Sequence, residues 1–297
     1  MHTAEPAPAR LTMVNIGANK GYAIVDALAL WRPDLGINPV SWHAVLLDQY
    51  PAAQGLCGVC NDCHESSGPE REPGSAKPTV TVHAVEPLPT NLPLLRNLQA
   101  RANAGDAIAM YVHPGAVGPS ANAPLFFDKT SSLCTQIGYE ACQLGTKGGS
   151  QMQEVTSWSL TSFVAEHRLD HIDYLMIDTE GYDGATLLNS TDFLNARIAR
   201  MIEFEYHAIG VWGPGSDKVQ LKQVVDALDA AGYSCYLQGK DGTLVNLTGT
   251  CWSPEYEMST WSNVLCTLRG DVWHAAAESM CAWKTGYTPR VLLAHHP

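Results

Sequence analysis

Short apolar runs alternate along the chain with longer stretches in which apolar residues recur at helical spacing. Such runs predict buried β-strands, and the longer stretches predict amphipathic helices. The strands are predicted at 12–16, 80–86, 107–112, 172–178 and 200–206. The helices are predicted at 21–31, 89–104, 159–168 and 218–231. Alternation of strand and helix predicts an α/β fold with a parallel sheet between helices.

The last third of the chain has a different pattern. Residues 234–237, 244–247 and 263–268 form three further apolar runs without a long helix between them, which predicts an antiparallel edge on the mostly parallel sheet. Two long stretches interrupt the alternation: a cysteine-rich insertion after the first helix at 33–78 and a loop excursion at 116–157. With 45% apolar residues, the 297 residues are enough for a single domain that contains both.

The first strand runs into the turn Asn15-Ile16-Gly17-Ala18-Asn19-Lys20-Gly21. Glycines at both ends of the turn let the backbone approach a ligand closely, and the helix that follows presents N–H groups to it. A dinucleotide fingerprint needs a glycine at the position of Asn19, so the turn has no evident binding site for a pyrophosphate. The turn therefore favours another nucleotide-like cofactor, S-adenosylmethionine (SAM).

Polar residues follow each of the five predicted parallel strands. Ligands of open α/β sheets bind at the carboxyl ends of the strands, so these residues are candidates for a single site. Glu86 ends the second strand, where a carboxylate can accept hydrogen bonds from ribose hydroxyls. The other candidates are His113 and Gly115 after strand three, Asp178 and Glu180 after strand four, and Glu205 and His207 after strand five.

Three segments together resemble the FkbM-type SAM-dependent methyltransferases. They are Val-Asn-Ile-Gly-Ala-Asn-Lys-Gly at 14–21, Val-His-Ala-Val-Glu-Pro at 82–87 and Ile-Asp-Tyr-Leu-Met-Ile-Asp-Thr-Glu-Gly-Tyr at 172–182. The resemblance implies a class I, Rossmann-like methyltransferase sheet and methyl transfer to a hydroxyl of a sugar, a glycan or a small metabolite. Where the family usually carries an acid, this chain has Asn15, which can accept a hydrogen bond without an ion pair. We therefore expect weaker SAM binding.

The expected cofactor-binding residues come from the turn and from the following strand ends. They are Asn15, Gly17, Ala18, Asn19, Gly21, Glu86, Pro87, His113, Gly115 and Asp178.

His207 is the first candidate for the catalytic base, because a histidine pKa near 6.5 suits proton abstraction at neutral pH. Asp178 and Glu180 are the next candidates. The alternative for His207 is a strand-end histidine that is hydrogen-bonded to the backbone. Trp212 lies in a glycine-rich loop just after His207, and we expect this loop to close over the acceptor.

The insertion contains Cys57, Cys60 and Cys63, whose spacing could hold a structural zinc ion. Disulfides and unpaired thiols are the alternatives, since nine cysteines are many for a reducing compartment. The triplets that begin at Asn189 and Asn246 are glycosylation acceptor sequences and would fit a secretory lumen, whereas the start of the chain has no export signal and favours the cytoplasm. A divalent cation for catalysis is not expected.

Charge and hydropathy restrict the kinds of partner that the chain is expected to bind. A net charge of −12 argues against nucleic acid, because binding to a phosphate backbone requires clustered Lys and Arg. No run approaches the roughly 18 apolar residues of a membrane span. Two alternatives to an enzyme stay open: a catalytically inactive SAM-fold binding module, and an interaction domain that works through the cysteine insertion. The sequence gives no indication of the oligomeric state.

Overall fold

The computed structural model describes residues 10–51, 77–120, 124–131, 142, 144, 147–215, 218–239, 242–258 and 260–281. The predicted zinc ligands Cys57, Cys60 and Cys63 lie outside these residues, so their role stays a prediction. The chain divides into two compact units, one of Met1–Ala116 with Ala123–Ser157 and one of Val117–Asn122 with Trp158–Pro297.

Three parallel strands organise the first unit: β1 (Arg10–Ile16), β2 (Thr79–Glu86) and β3 (Ile108–Pro114). β2 pairs with β1 on one side and with β3 on the other, so that Asn15 lies opposite Ala84 and His83 opposite Tyr111. β1 and β2 are buried along nearly their whole length, as their continuous apolar sequence predicts. All three predicted strands are confirmed.

The helices of the first unit are α1 (Tyr22–Trp31), α2 (Pro39–Gln49) and α3 (Leu92–Ala102). Gly21 precedes α1 with a φ of 85°, and a Cβ there would lie 2.7 Å from Leu98 of α3, so both the backbone and the packing require glycine. α2 falls within the stretch predicted as an insertion. It begins at Asn38, whose side chain accepts a hydrogen bond from the backbone N–H of Ser41.

The stretch predicted as a loop excursion contains four short strands: β4 (Ala116–Val117), β5 (Leu125–Asp128), β6 (Met152–Val155) and β7 (Ser157–Trp158). β5 and β6 form an antiparallel pair. Phe127 of β5 is buried with Leu88 and Cys142, so part of the excursion has a small core of its own.

The second unit contains β8 (Ile172–Ile177), β9 (Ala199–Tyr206), β10 (Tyr233–Gln238), β11 (Leu244–Asn246) and β12 (Ser262–Leu268). β8 and β9 are parallel, and β12, β10 and β11 continue from β9 in that order, each antiparallel to its neighbour. The predicted α/β class and the antiparallel edge are therefore confirmed. Cys235 of β10 lies opposite Cys266 of β12, and a disulfide joins them.

The helices of the second unit are α4 (Leu160–Glu166), α5 (Asp183–Leu188), α6 (Thr191–Ala196), α7 (Leu221–Ala231) and α8 (Val272–Ser279). α7 ends at Gly232, whose φ of 101° closes the helix as the sequence predicts. Across the described part of the chain, we find no helix with the length and apolar character needed to cross a membrane.

Candidate functional site

The glycine turn after β1 is fixed to the end of β2 by backbone hydrogen bonds. Gly17 has a φ of 77° and Asn19 a φ of 45°, both in the left-handed region. The N–H groups of Gly17 and Ala18 each donate to the carbonyl of Val85 at 3.0 Å, and the N–H of Asn19 donates to Glu86 Oε2 at 2.8 Å. Three N–H groups that an anion could use are therefore already bonded within the protein.

Glu86 is the acid that this turn surrounds. It is 3% exposed, and its Oε1 accepts hydrogen bonds from the N–H of Leu88 at 2.9 Å and from Asn91 Nδ2 at 3.4 Å. Burial raises the pKa of Glu86 to about 7, although the hydrogen bonds from Leu88, Asn19 and Asn91 oppose the shift. Added donors such as hydroxyl groups would favour the ionised form.

Asn15 lies on the same face of the sheet as Glu86. It is opposite Ala84, two residues before Glu86, and residues two apart on a strand point to the same face. Asn15 is 1% exposed, and its Oδ1 has no hydrogen-bond partner among the described residues. An unsatisfied buried acceptor costs about 1–3 kcal/mol, so this oxygen fits a donor that a ligand brings.

The remaining predicted cofactor residues of the first unit are Pro87, Gly115 and His113. Pro87 directly follows Glu86, and the N–H of Gly115 donates to the backbone carbonyl of Glu86 at 3.0 Å. His113 lies opposite Val85, on the other face from Glu86, and its Nε2 is 3.0 Å from Nδ1 of His83. The structure thus gathers Asn15, the glycine turn and Glu86, and it places His113 apart from them.

In the second unit, carboxyl groups collect at the ends of β8 and β9. Asp178 directly follows Ile177 of β8, which lies opposite Phe204 of β9, so Asp178 and Glu205 come next along the two paired strands. The pKa of Asp178 is raised well above its usual range, first by burial and then by the negative charges of Glu205, Asp183 and Glu180. Asp183 accepts hydrogen bonds from the N–H groups of Thr179 and Gly181, and burial, followed by the charge of Glu205, raises its pKa to about 7.

His207 has a hydrogen-bond partner at one of its two ring nitrogens. Its Nδ1 accepts a hydrogen bond from the N–H of Ile209 at 3.0 Å. Its Nε2 is buried and lies 3.0 Å from Glu205 Oε2, but it has no hydrogen-bond partner among the described residues. Because Nδ1 is an acceptor, a neutral ring carries its proton on Nε2. The alternative of a strand-end histidine that is hydrogen-bonded to the backbone is therefore correct for Nδ1. The role of His207 as a base stays a prediction.

The loop after β9 packs closely against the loop after β8. A Cβ on Gly181 would lie 2.5 Å from the carbonyl oxygen of Ile209, and the N–H of Val211 donates to the carbonyl of Gly181 at 2.9 Å. Trp212 is 1% exposed, and Gly184 leaves space for its ring. The expectation that the Trp212 loop closes over an acceptor is wrong in this respect, because the ring is already packed inside the second unit.

One contact of this site went unrecognised in the sequence. Trp261 Nε1 donates a hydrogen bond to Glu205 Oε1. This contact depends on the antiparallel pairing of β9 with β12, which puts Ser262 opposite Tyr206. Nothing local in the sequence identifies that pairing. No group of three potential ligands in the described ranges is placed to hold a metal ion.

Residues 58–235 match the family model described as the methyltransferase FkbM domain. This segment includes Glu86, Asp178, Glu205 and His207, and it begins after the glycine turn. No curated protein matches the chain. The members of this family are methyltransferases, which implies the use of SAM. Since the matched segment covers more than half of the 297 residues, the chain belongs to the FkbM methyltransferase family.

Proposed function

We propose that the chain is a SAM-dependent methyltransferase that modifies a hydroxyl oxygen on a sugar, a glycan or a small metabolite. The observation that carries the cofactor assignment is the buried, unpartnered Oδ1 of Asn15 on the same face as Glu86. An amide oxygen can accept a hydrogen bond from the α-ammonium group of the methionine moiety. Glu86 can accept hydrogen bonds from the two ribose hydroxyls of the adenosine moiety.

The glycine turn supports the same choice of ligand. Its N–H groups at Gly17, Ala18 and Asn19 are bonded to Val85 and Glu86, so the turn offers little to a phosphate. SAM has no phosphate group, so the lack of free N–H groups in the turn does not weaken its binding. A dinucleotide would lose the main contact to its pyrophosphate. When bound, SAM supplies an activated methyl group to the acceptor.

Transfer to a hydroxyl also requires a group that takes the hydroxyl proton. The second unit supplies candidates in Asp178, Glu180 and His207. Positioning of the two reactants provides most of the rate in such a displacement, and the protein's further task is to receive the proton. The acceptor class rests on the family resemblance and on this requirement.

Calorimetric titration with S-adenosylhomocysteine (SAH) tests the cofactor site. We expect binding by the native chain, weaker binding by Glu86→Gln and Asn15→Leu, and unchanged binding by Tyr111→Phe. Tyr111 is exposed and lies on the face away from Glu86, so it serves as the matched control.

A screen with tritium-labelled SAM over monosaccharides, oligosaccharides and hydroxylated metabolites then tests turnover. Binding without turnover on any of them would favour the inactive SAM-fold module. No binding by a folded chain would contradict the proposal and favour the interaction domain built on the cysteine insertion.

A further inference from the structure

The second half of the glycine turn is closed by a hydrogen bond of its own. The N–H of Gly21 donates to the carbonyl of Ala18 at 2.7 Å, which makes Asn19 and Lys20 the two central residues of a β-turn. The N–H of Asn19 is the group that donates to Glu86 Oε2. One central residue is therefore attached to the buried acid of the candidate cofactor site, and the other is Lys20.

Trp42 of α2 holds Lys20 from another direction. Its Nε1 donates to the backbone carbonyl of Lys20 at 2.7 Å, and its side chain is buried, with 2% of the residue exposed. The N–H of Val25 in α1 donates to the carbonyl of Gly21, so the carbonyl of Lys20 lies one residue before the helix. A side chain from α2 supplies the donor for this carbonyl.

Other contacts fix α2 in place. The hydroxyl of Tyr22, at the start of α1, and Nδ1 of His43 in α2 are hydrogen-bonded at 2.9 Å. At the end of α2, Gln49 Oε1 accepts a hydrogen bond from Asn97 Nδ2 of α3 at 2.7 Å. α2 therefore contacts both neighbours of Gly21 and is braced by α3, so the indole of Trp42 is held at the turn.

We infer that Trp42 is a positioning residue of the proposed cofactor site, which fixes the turn at Lys20 so that Asn19 keeps its contact with Glu86. The inference rests on the proposed function and deepens it. Residues 58–235 are the part of the chain that matches the FkbM domain, so α2 and Trp42 lie outside the match. The stretch predicted as an insertion thus contributes a helix to the cofactor site.

A residue of this kind acts without touching the ligand. When the bond to Lys20 is lost, the turn gains conformations in which Asn19 and Glu86 are apart, and the ligand has to select the remaining ones. The coupling is reciprocal, so a bound ligand should strengthen the bond between Trp42 and Lys20 by the same factor. One ordinary hydrogen bond corresponds to about a fivefold change in affinity.

Calorimetric titration with SAH provides the first test. Trp42→Phe keeps an aromatic ring and removes the N–H, and we expect it to bind SAH about fivefold more weakly than the native chain. The matched control is Asn38→Ala, which removes the side chain that accepts the N–H of Ser41 at the start of α2. This variant destabilises the same helix without changing the contact with Lys20, so its affinity for SAH should equal that of the native chain.

Urea denaturation of both variants separates positioning from stability. Native affinity in Trp42→Phe would overturn the inference. So would affinities that fall in both variants in proportion to their loss of stability, because a purely structural role of α2 predicts that result.

Hydrogen exchange in the native chain provides a second test that requires no variant. The indole N–H of Trp42 should exchange with deuterium about fivefold more slowly when SAH is bound, as measured by NMR of the chain labelled with 15N-tryptophan. Trp273 of the second unit is the internal reference, since its buried Nε1 has no hydrogen-bond partner among the described residues. Equal changes at Trp42 and Trp273, or none, would overturn the inference and leave the proposed function standing. No SAH binding by the native chain would overturn both.

Discussion

The backbone N–H of Asn19 donates a 2.8 Å hydrogen bond to the buried carboxylate of Glu86, 67 residues later in the chain. This bond joins the turn after β1 to the end of β2 and sets the geometry of the candidate cofactor site. Asn19 has a φ of 45°, which asparagine tolerates better than most residues.

Restoring at position 15 the acid that the family usually carries should strengthen cofactor binding. We expect Asn15→Asp to bind SAH about tenfold more tightly than the native chain, because a charge-assisted hydrogen bond to the α-ammonium group is roughly twice as strong as a neutral one. Asn15→Leu, which removes the acceptor, should bind more weakly. Calorimetry at fixed pH measures both, and equal affinities in all three chains would show that Asn15 does not contact the ligand.

The raised pKa of Glu86 predicts an unusual pH dependence of stability. Its pKa is about 7 in the folded chain against an ordinary value of 4.5, so the folded chain binds more protons than the unfolded chain between these pH values. The free energy of unfolding should therefore fall as pH rises from about 4.5 to 7, by roughly 3 kcal/mol. Urea denaturation at several pH values measures this slope. Glu86→Gln should flatten it, and an unchanged slope in that variant would assign the effect to other groups.

A buried ion network should account for much of the stability of the second unit. Arg200 Nη1 bonds to Asp173 at 2.9 Å, and Arg200 Nε and Nη2 bond to the two oxygens of Asp271 at 2.7 and 3.0 Å. Asp173 is fully buried, so Arg200→Met removes the guanidinium that compensates its charge and should cost about 3 kcal/mol in urea denaturation, although His171 Nε2 still lies 3.0 Å from Asp173 Oδ1. Lys222→Met breaks the exposed pair with Asp226 and is the matched control, with no measurable loss expected.

The disulfide between Cys235 and Cys266 should stabilise the antiparallel edge. It closes a segment with a sequence separation of 31, for which the loss of chain entropy in the unfolded state corresponds to about 3–4 kcal/mol. The double variant Cys235→Ser, Cys266→Ser should lose this amount in chemical denaturation under oxidising conditions. Cys251→Ser is the control, because Cys251 is partly exposed and not in a disulfide. A double variant as stable as the control would show that the bond does not form.

The sequence predicts the strands better than the stretches between them. The second strand ends at Glu86 as predicted, and α7 ends before Gly232, because continuous apolar runs and a left-handed glycine are local signals. α2 and α8 were not predicted, since each buries little: Trp42 and Leu46 in α2, and Ala277 in α8.

Some residues of the candidate site could also be identified from the sequence, and others could not. Asn15 and Glu86 could be selected from the sequence because each stands at the end of an apolar strand. The hydrogen bond from the N–H of Ile209 to His207 Nδ1 could not, since it depends on the conformation of the loop after β9. The packing of Trp212 against Gly184 is non-local, and the aromatic residue in a glycine-rich segment was misread as a lid.

The hydrogen bonds of the glycine turn limit which other cofactors a redesigned variant of this chain could bind. Replacing Asn19 with glycine would bring the sequence nearer to a dinucleotide fingerprint, yet the carbonyl of Val85 and the carboxylate of Glu86 would still hold the N–H groups of Gly17, Ala18 and residue 19. A pyrophosphate would compete with these acceptors and would meet a buried acid beside its own negative charge. Redesign toward NAD would therefore have to begin at Glu86 and the end of β2, not at the glycines.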